Sequence, residues 1–368
     1  MTFEEFGTLL SQICSRSSLA ADRPLVWTVI TNPHAGGFAI RSRRKKHFAQ
    51  LKERAEAAKK KPERSGWASV TSGGGKDKNH SGLILTTHSG HAGEITSALI
   101  KEAETIDPQN GIRPFFLIIT AGGDGTSRDT MHSLYLAPQI LFEDFAVLRL
   151  PMGTGNDASD AEELDQALDL LIEPSTLTKQ RVLQLKTESG KGPFCAFNIL
   201  SVGGDAFVTH MTNKTKGKMP GDSYKIWVDL AALFYDTLYK VGYMNINAFD
   251  EEGREVKALN EKTLLLAVGE SGRRTYGSRK LIFPDERNMC AVKQMPLTRK
   301  LVFKKLLPLG AHITMSESIL WSAHSVRFST ENPILAQMDG ETVRLEKTDF
   351  PATIELTKPL IQILKKRV

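Results

Sequence analysis

Apolar positions along the chain change period at about its midpoint. Leu25 to Ile30, Leu83 to Leu85, Phe115 to Ile119 and Ala146 to Leu150 are short unbroken runs, the pattern of strands buried on both faces. Each is followed by a turn and then by helical periodicity, as in Arg43 to Ala58, Ala92 to Ala103, Asp129 to Leu136 and Ala161 to Ile172. Strand, turn and helix in repetition predict an α/β domain with a parallel sheet over residues 25–174, in which ligands sit at the carboxyl ends of the strands. Glu4 to Cys14 predicts an amphipathic helix within an N-terminal helical extension, residues 1–24. Lys59 to His80, rich in Lys, Gly and Ser, predicts a flexible surface loop.

After Glu173-Pro174 the runs become strand-like: Gln180 to Glu188, Phe194 to Val202, Met244 to Phe249, Thr263 to Val268, Ala311 to Met315, Ser325 to Ser329 and Val343 to Glu346. One helical stretch, Tyr224 to Leu238, interrupts them. This predicts a β-rich sandwich domain over 175–354. The tail, Pro359 to Lys366, returns to helical periodicity and is predicted as a helix within 355–368 that packs back on the first domain.

A chain of 368 residues can bury two cores, and an ordinary charged fraction with 40% hydrophobic residues fits a soluble protein. No apolar run approaches the roughly 20 residues that span a bilayer. Glu4 and Glu5 stand where a signal peptide would be basic, and Cys14, Cys195 and Cys290 have no disulfide or metal-ligand spacing, so a cytoplasmic location is expected. The net charge of +6 gathers in Arg41 to Lys46, Lys59 to Lys61, Arg273 to Lys280 and Lys365 to Arg367, which suits an anionic partner or a solvated surface. No nucleic-acid-binding signature is present.

Candidate chemistry lies in the turns. Ala121-Gly122-Gly123-Asp124-Gly125-Thr126 joins a strand to a helix, and its glycines admit a phosphate close to backbone N–H groups at the helix start. Asp124 suits phosphate only with a cation between them, so it either organises Mg²⁺ or caps the helix. Pro151-Met152-Gly153-Thr154-Gly155-Asn156-Asp157 repeats the arrangement, with Thr154 and Asn156 as phosphate donors and Asp157 as a helix cap. Thr31 to Gly37 and Thr86 to Ala92 are further strand-to-helix loops, with His88 and His91 as binding candidates. No Walker A sequence occurs, since Gly73-Gly74-Gly75-Lys76 lacks its spacing. Late in the chain, Asp339-Gly340-Glu341 places two carboxylates across a glycine, either a turn or a base for a substrate hydroxyl.

The ordered set Asn32-Pro33-x-x-Gly36, Thr86 with Gly90-His91-Ala92, Gly122 to Thr126, Pro151 to Asp157, Asn198 with Gly203-x-Asp205-Ala206, and Asp339-Gly340-Glu341 resembles the diacylglycerol kinase, sphingosine kinase and bacterial lipid kinase superfamily, over Leu25 to about Lys365. The resemblance implies a lipid kinase using ATP and Mg²⁺, with an α/β nucleotide domain, a β-rich lipid-substrate domain and a cleft between them. It maps ATP binding to Asn32, Thr86, Gly122, Gly123, Asp124, Gly125, Thr126, Gly153, Thr154 and Asn156. It maps the general base to Asp339 first and Glu341 second. The resemblance implies a lipid substrate at a membrane surface, reached by peripheral contact; a homodimer is a separate expectation, and nucleic acid is not expected as a partner.

The sequence departs from the family between Glu270 and Asn288, where an acidic segment ending in Asp-Gly is shortened and lost. Some members hold a second, structural metal there, for which Asp285 is the candidate. Arg273 and Arg274 meet either an anionic lipid head or solvent. The alternatives are a NAD kinase-like activity, which shares the glycine-acid motif, and a nucleotide-binding regulatory protein without turnover.

Overall fold

The computed structural model describes residues 2–64, 67–70, 76–77, 82–106, 112–153, 155–215, 233–277 and 280–367. The chain divides into two compact units, Met1–Gln180 with Pro359–Val368, and Arg181–Lys358.

The first unit begins with α1 (Phe3–Cys14), started by a capping box in which the Glu5 N–H donates to Thr2 Oγ1 at 3.1 Å and the Thr2 N–H to Glu5 Oε2 at 2.6 Å. Phe6, Leu10 and Ile13 recur on one face of α1 and are fully buried in the core of the unit. Each buried chain of this size contributes roughly 1.5–3 kcal/mol, so the extension is integral to the unit. It is followed by β1 (Leu25–Thr31), α2 (Gly36–Ala39), α3 (Arg41–Ala58), β2 (Trp67–Val70), β3 (Lys76–Asp77), β4 (Leu83–Leu85), α4 (His91–Thr105), β5 (Phe115–Ala121), α5 (Asp124–Tyr135), β6 (Phe145–Arg149), α6 (Leu164–Ile172) and β7 (Ser175–Gln180). The sheet runs β3-β2-β1-β5-β6-β19-β7, with β4 also beside β1 and β19 formed by Ile361–Lys366. β2, β4 and β5 are parallel to β1, and β6 is parallel to both β5 and β19.

Three expectations are corrected in this unit. The tail is a strand rather than a helix: Ile361, Gln362, Ile363 and Leu364 are all buried between β6 and β7, and a strand covered on both faces shows no alternation. The buried Gln362 amide donates to the Phe142 and Phe145 carbonyls at 3.0 Å each. Within the expected loop Lys59 to His80, Trp67, Ala68 and Ser69 pair with Leu25, Val26 and Trp27, which sets β2 parallel to β1, while 65–66, 71–75 and 78–80 lie outside the described residues. Asp157 does not cap α6, which starts at Leu164 behind a capping box of Glu163 and Gln166.

The second unit contains β8 (Leu183–Lys186), β9 (Phe194–Ala196), β10 (Ile199–Gly203), α7 (Gly204–Thr215), α8 (Tyr235–Leu238), β11 (Tyr243–Phe249), β12 (Glu255–Gly269), β13 (Met289–Lys293), α9 (Leu297–Leu306), β14 (Ser318–Trp321), β15 (Ser325–Thr330), β16 (Ile334–Met338), β17 (Glu341–Leu345) and β18 (Ala352–Leu356). The sheet is antiparallel, ordered β17-β16-β10-β12-β11-β15-β18-β8-β9, with β13 beside β12 and β14 beside β13. β12 bridges two faces. Glu255 to Lys262 pair with β11, and the stretch to Gly269 pairs with β10 and β13. Ile246, Val268, Phe328 and Ala336, drawn from both halves, fill one core.

The sequence reading missed α7 and α9. Ala311 to Met315, expected as a strand, contains a 3-10 turn at Ala311–Thr314. Of the expected helix Tyr224 to Leu238, residues 224–232 lie outside the described residues and the remainder holds only the short α8. No helix among the described residues is long and apolar enough to cross a membrane.

Candidate functional site

Because β4, β1, β5 and β6 are parallel neighbours, their carboxyl ends lie along one edge of the first unit's sheet. That edge carries Thr86, Asn32, Gly122 to Thr126, Pro151 to Gly153, and Gly155 with Asn156. Backbone bonds join the loops: the Thr86 N–H donates to the Thr31 carbonyl at 2.8 Å, Asn32 N–H to Ala121 at 3.0 Å, and Gly37 N–H to Met152 at 2.8 Å. Asn32 Oδ1 also accepts the His34 N–H at 2.9 Å, which fixes the turn after β1.

The β5 and β6 loops meet backbone to backbone. A Cβ on Gly153 would lie 2.7 Å from the Gly123 Cα, and one on Gly122 would overlap the side chain of Thr126. Thr126 is buried and turned back on its own loop, so its part is to shape the turn. Gly125 differs. It is exposed, and a Cβ there would meet nothing within 4 Å. The protein's own packing therefore leaves this glycine unexplained, while a ligand close to the first turn of α5 would account for it.

Asp124 opens α5, and its Oδ1 accepts the Ala158 N–H at 3.1 Å, tying the β6 loop to the helix start. Its Oδ2 and the Oδ2 of Asp157 each lie 3.1 Å from the point a Cβ on Gly155 would occupy. Two half-buried carboxylates thus face one small space. Magnesium in phosphoryl transfer is commonly held by one or two carboxylates and completed by phosphate oxygens and water, so this donor set fits Mg²⁺ together with a nucleotide phosphate. It does not form a cage by itself: among the described residues no three His, Cys, Asp or Glu side chains are grouped to hold a metal ion. The sequence reading missed the second carboxylate because it assigned Asp157 to a cap.

Asn156 has φ +59°, and its amide donates to the Pro151 carbonyl at 3.1 Å, closing the loop on itself. Thr154 lies outside the described residues. Below the loop, Arg149 and Asp160 form an ion pair at 2.6 Å with both side chains essentially fully buried, and Asp160 Oδ2 also accepts the Arg149 N–H at 2.7 Å. In the turn after β4, His88 and His91 stack at 4.7 Å. His88 Nε2 is 3.0 Å from Glu94 Oε1, and the Thr87 N–H donates to His91 Nδ1 at 3.0 Å.

In the second unit the acidic triplet forms the β16–β17 hairpin turn. Asp339 has φ +47°, and its carboxylate accepts the N–H groups of Phe197, Asn198 and Ile199, with the Ile199 bond at 3.0 Å. This carboxylate is built into the turn between β9 and β10. Glu341 is exposed at the first residue of β17. The turn is held from α7, where Asn213 Nδ2 donates to the Gly340 carbonyl at 2.8 Å and His210 Nδ1 lies 3.2 Å from Thr342 Oγ1. Burial holds His210 below the usual imidazole range, with the nearby Lys214 charge adding to it. Beside the turn lies a cavity of about 530 Å³ whose lining includes Tyr235, Tyr239, Met244, Ile334 and Thr342 together with Lys214, Lys240 and Arg344. Neither α7 nor this cavity had a sequence signal, since residues more than a hundred positions apart meet there.

The proposed second-metal residue is engaged elsewhere. Asp285 accepts from Arg287 Nε at 3.0 Å and Nη2 at 2.5 Å, and the hydrogen bond to this guanidinium is the largest influence holding its carboxyl below the usual range. Arg273 pairs with Glu286 at 2.5 Å and Arg274 with Glu270, so both arginines have protein partners.

Residues 26–187 match the diacylglycerol kinase catalytic domain family. No curated protein matches the chain in sequence. Among solved structures it is similar to a candidate diacylglycerol kinase of Bacillus anthracis str. Sterne, with 16% identity, 92% of this chain and 94% of that one covered, and a TM-score of 0.58. A second such structure from the same organism has 18% identity, 92% and 96% coverage and a TM-score of 0.56. A diacylglycerol kinase, again from Bacillus anthracis str. Sterne, gives 14%, 92%, 96% and 0.52. At these identities the likeness is one of fold.

Proposed function

We propose that this protein is a lipid kinase that transfers the γ-phosphoryl group of ATP to a hydroxyl of a lipid acceptor. The observation that carries the reading is the meeting of the β5 and β6 loops: the first turn of α5 is open to approach at Gly125, and the Asp124 and Asp157 carboxylates converge beside Gly155. In such a transfer most of the catalysis is positioning and charge stabilisation. The β5 and β6 loops and the start of α5 would bind the phosphates, Asp124 and Asp157 would hold Mg²⁺, and Asn32 and Thr86 would fix the neighbouring loops. Bound magnesium offsets the negative charge of the transferred group. For the acceptor proton, the exposed Glu341 suits a general base better than Asp339, whose oxygens already accept three backbone N–H groups. The 530 Å³ cavity beside the hairpin, with Tyr235, Tyr239 and Met244 beside Lys214, Lys240 and Arg344 on its lining, suits an amphipathic acceptor at a membrane surface.

The test is transfer of labelled γ-phosphate from ATP into mixed micelles of diacylglycerol, monoacylglycerol, sphingosine or phosphatidylglycerol, with NAD as a soluble acceptor. Label in one lipid, dependent on Mg²⁺ and absent from Asp124→Ala, is the expected result. Label in NAD, or no turnover despite ATP binding, would overturn it.

A further inference from the structure

We propose that α9 and the turn after it form a docking face for an anionic lipid surface; this rests on the lipid kinase reading and adds to it the place where the protein meets its membrane. Leu297, Leu301 and Val302 are exposed on α9 by 44%, 44% and 42%, and Leu309 just beyond it by 76%. On a helix, 297, 301 and 305 fall at four-residue spacing with 298 and 302 alongside, so these side chains and Lys305 share one outward arc. Lys304, also exposed, borders it.

The helix is fixed from beneath by its other basic residues. Arg299 Nε donates to Glu317 at 2.7 Å, and the largely buried Lys300 pairs with Asp236 and donates to the Leu233 carbonyl at 3.1 Å. The outward apolar arc is therefore presented on a braced element. At the start of α9, a cavity of about 720 Å³ has Leu297, Phe234 and Tyr243 on its lining, the two aromatics exposed by 43% and 53%. Lys262 lies over the Tyr243 ring at 5.7 Å. Tyrosine and lysine at such a rim suit the headgroup level of a bilayer, with the leucines entering below it.

Charge decides the kind of surface. Arg299 and Lys300 are paired with Glu317 and Asp236, and the exposed Lys304 and Lys305 stand beside the apolar arc. An apolar arc with exposed lysines along it is complementary to an anionic bilayer, where each added basic group strengthens attachment.

Sedimentation with vesicles of phosphatidylcholine and phosphatidylglycerol, against phosphatidylcholine alone, tests this on the full chain. The expected result is binding to the anionic vesicles that falls about tenfold or more in Leu301→Glu/Val302→Glu and in the milder Leu301→Ser/Val302→Ser, and falls less in Lys304→Gln/Lys305→Gln. All three variants should keep the parent's circular dichroism and its transfer to a short-chain, water-soluble diacylglycerol. Parental vesicle binding in the folded variants would overturn the docking face, as would a dimer that the variants dissociate without any vesicle affinity in the parent. Absence of transfer in every form, with vesicle binding lost only in the variants, would overturn the kinase reading and leave the docking face standing.

Discussion

Gly123 and Gly153 approach so closely that a Cβ on Gly153 would stand 2.7 Å from the Gly123 Cα. Two loops from neighbouring strands are thereby held at backbone contact, with Asp124 of one bonded to the Ala158 N–H of the other. A methyl group on Gly153 must push them apart, whereas a methyl group on Gly125 meets open space. Gly153→Ala should cost about 1–3 kcal/mol and lower ATP affinity. Gly125→Ala should leave the denaturation midpoint unchanged or slightly raised yet weaken ATP binding, because the methyl would stand at the proposed phosphate approach. Urea titration beside calorimetric ATP binding separates the two; an unaltered ATP affinity in Gly125→Ala would remove the nucleotide from this edge.

The two acids of the β16–β17 turn should part in their effects. Asp339→Ala strips three backbone N–H groups of their acceptor and should lower stability by about 1.5–3 kcal/mol. Glu341→Gln sits on an exposed position and should stay within about 0.5 kcal/mol of the parent, while transfer falls by about 10² to 10⁴. Unchanged transfer in Glu341→Gln would return the base to Asp339 or dispense with it.

The Arg149–Asp160 pair lies under the β6 loop with both side chains out of water. Asp160→Ala leaves the guanidinium buried without its carboxylate and should cost about 3–5 kcal/mol. Arg149→Met/Asp160→Leu should recover part of that loss. A double variant less stable than Asp160→Ala alone, measured by urea unfolding, would contradict this account.

His312 in the second unit is fully buried, with Nε2 3.1 Å from the Ile282 carbonyl and the ring edge-on to Phe303 at 5.6 Å. Burial is the main cause that holds its imidazole below the ordinary value of 6.5. The unfolded chain therefore takes up the proton first as the pH falls. The stability associated with neutral His312 is fully present above about pH 6.5 and is lost progressively below it. His312→Gln should flatten the fall in stability between neutral and mildly acidic pH, read from denaturation midpoints; an equal slope in both proteins would place the acid sensitivity elsewhere.

The α/β pattern of the first unit was legible because its strands are covered on both faces and its loops carry glycines whose need is local. Leu25 to Ile30, Phe115 to Ile119 and all of Ala146 to Leu150 but its last residue lie in strands of the observed sheet. Less legible were elements whose identity depends on what covers them. Ile361 to Leu364 carries an apolar run compatible with a helix or a buried strand, and its place between β6 and β7 decides for the strand. α7 was hidden because its sequence, from Gly204 to Thr215, follows a glycine pair and mixes β-branched with polar residues, and it is packing on β16 and β17 that fixes it.

The sequence by itself determined that Gly122, Gly123, Asp124 and Gly125 form a strand-to-helix turn and that Asp339-Gly340-Glu341 is an acidic turn, since both follow from backbone preferences within a few residues. Only the tertiary structure decided that Asp157 faces the same space as Asp124, that Asp339 is tied to Phe197, Asn198 and Ile199, and that Asp285 is held by Arg287. The reason is that a carboxylate's role is set by the donors around it. A short motif fixes where the acid stands on its own turn, but the donors arrive from strands and loops whose meeting depends on how the whole sheet is paired.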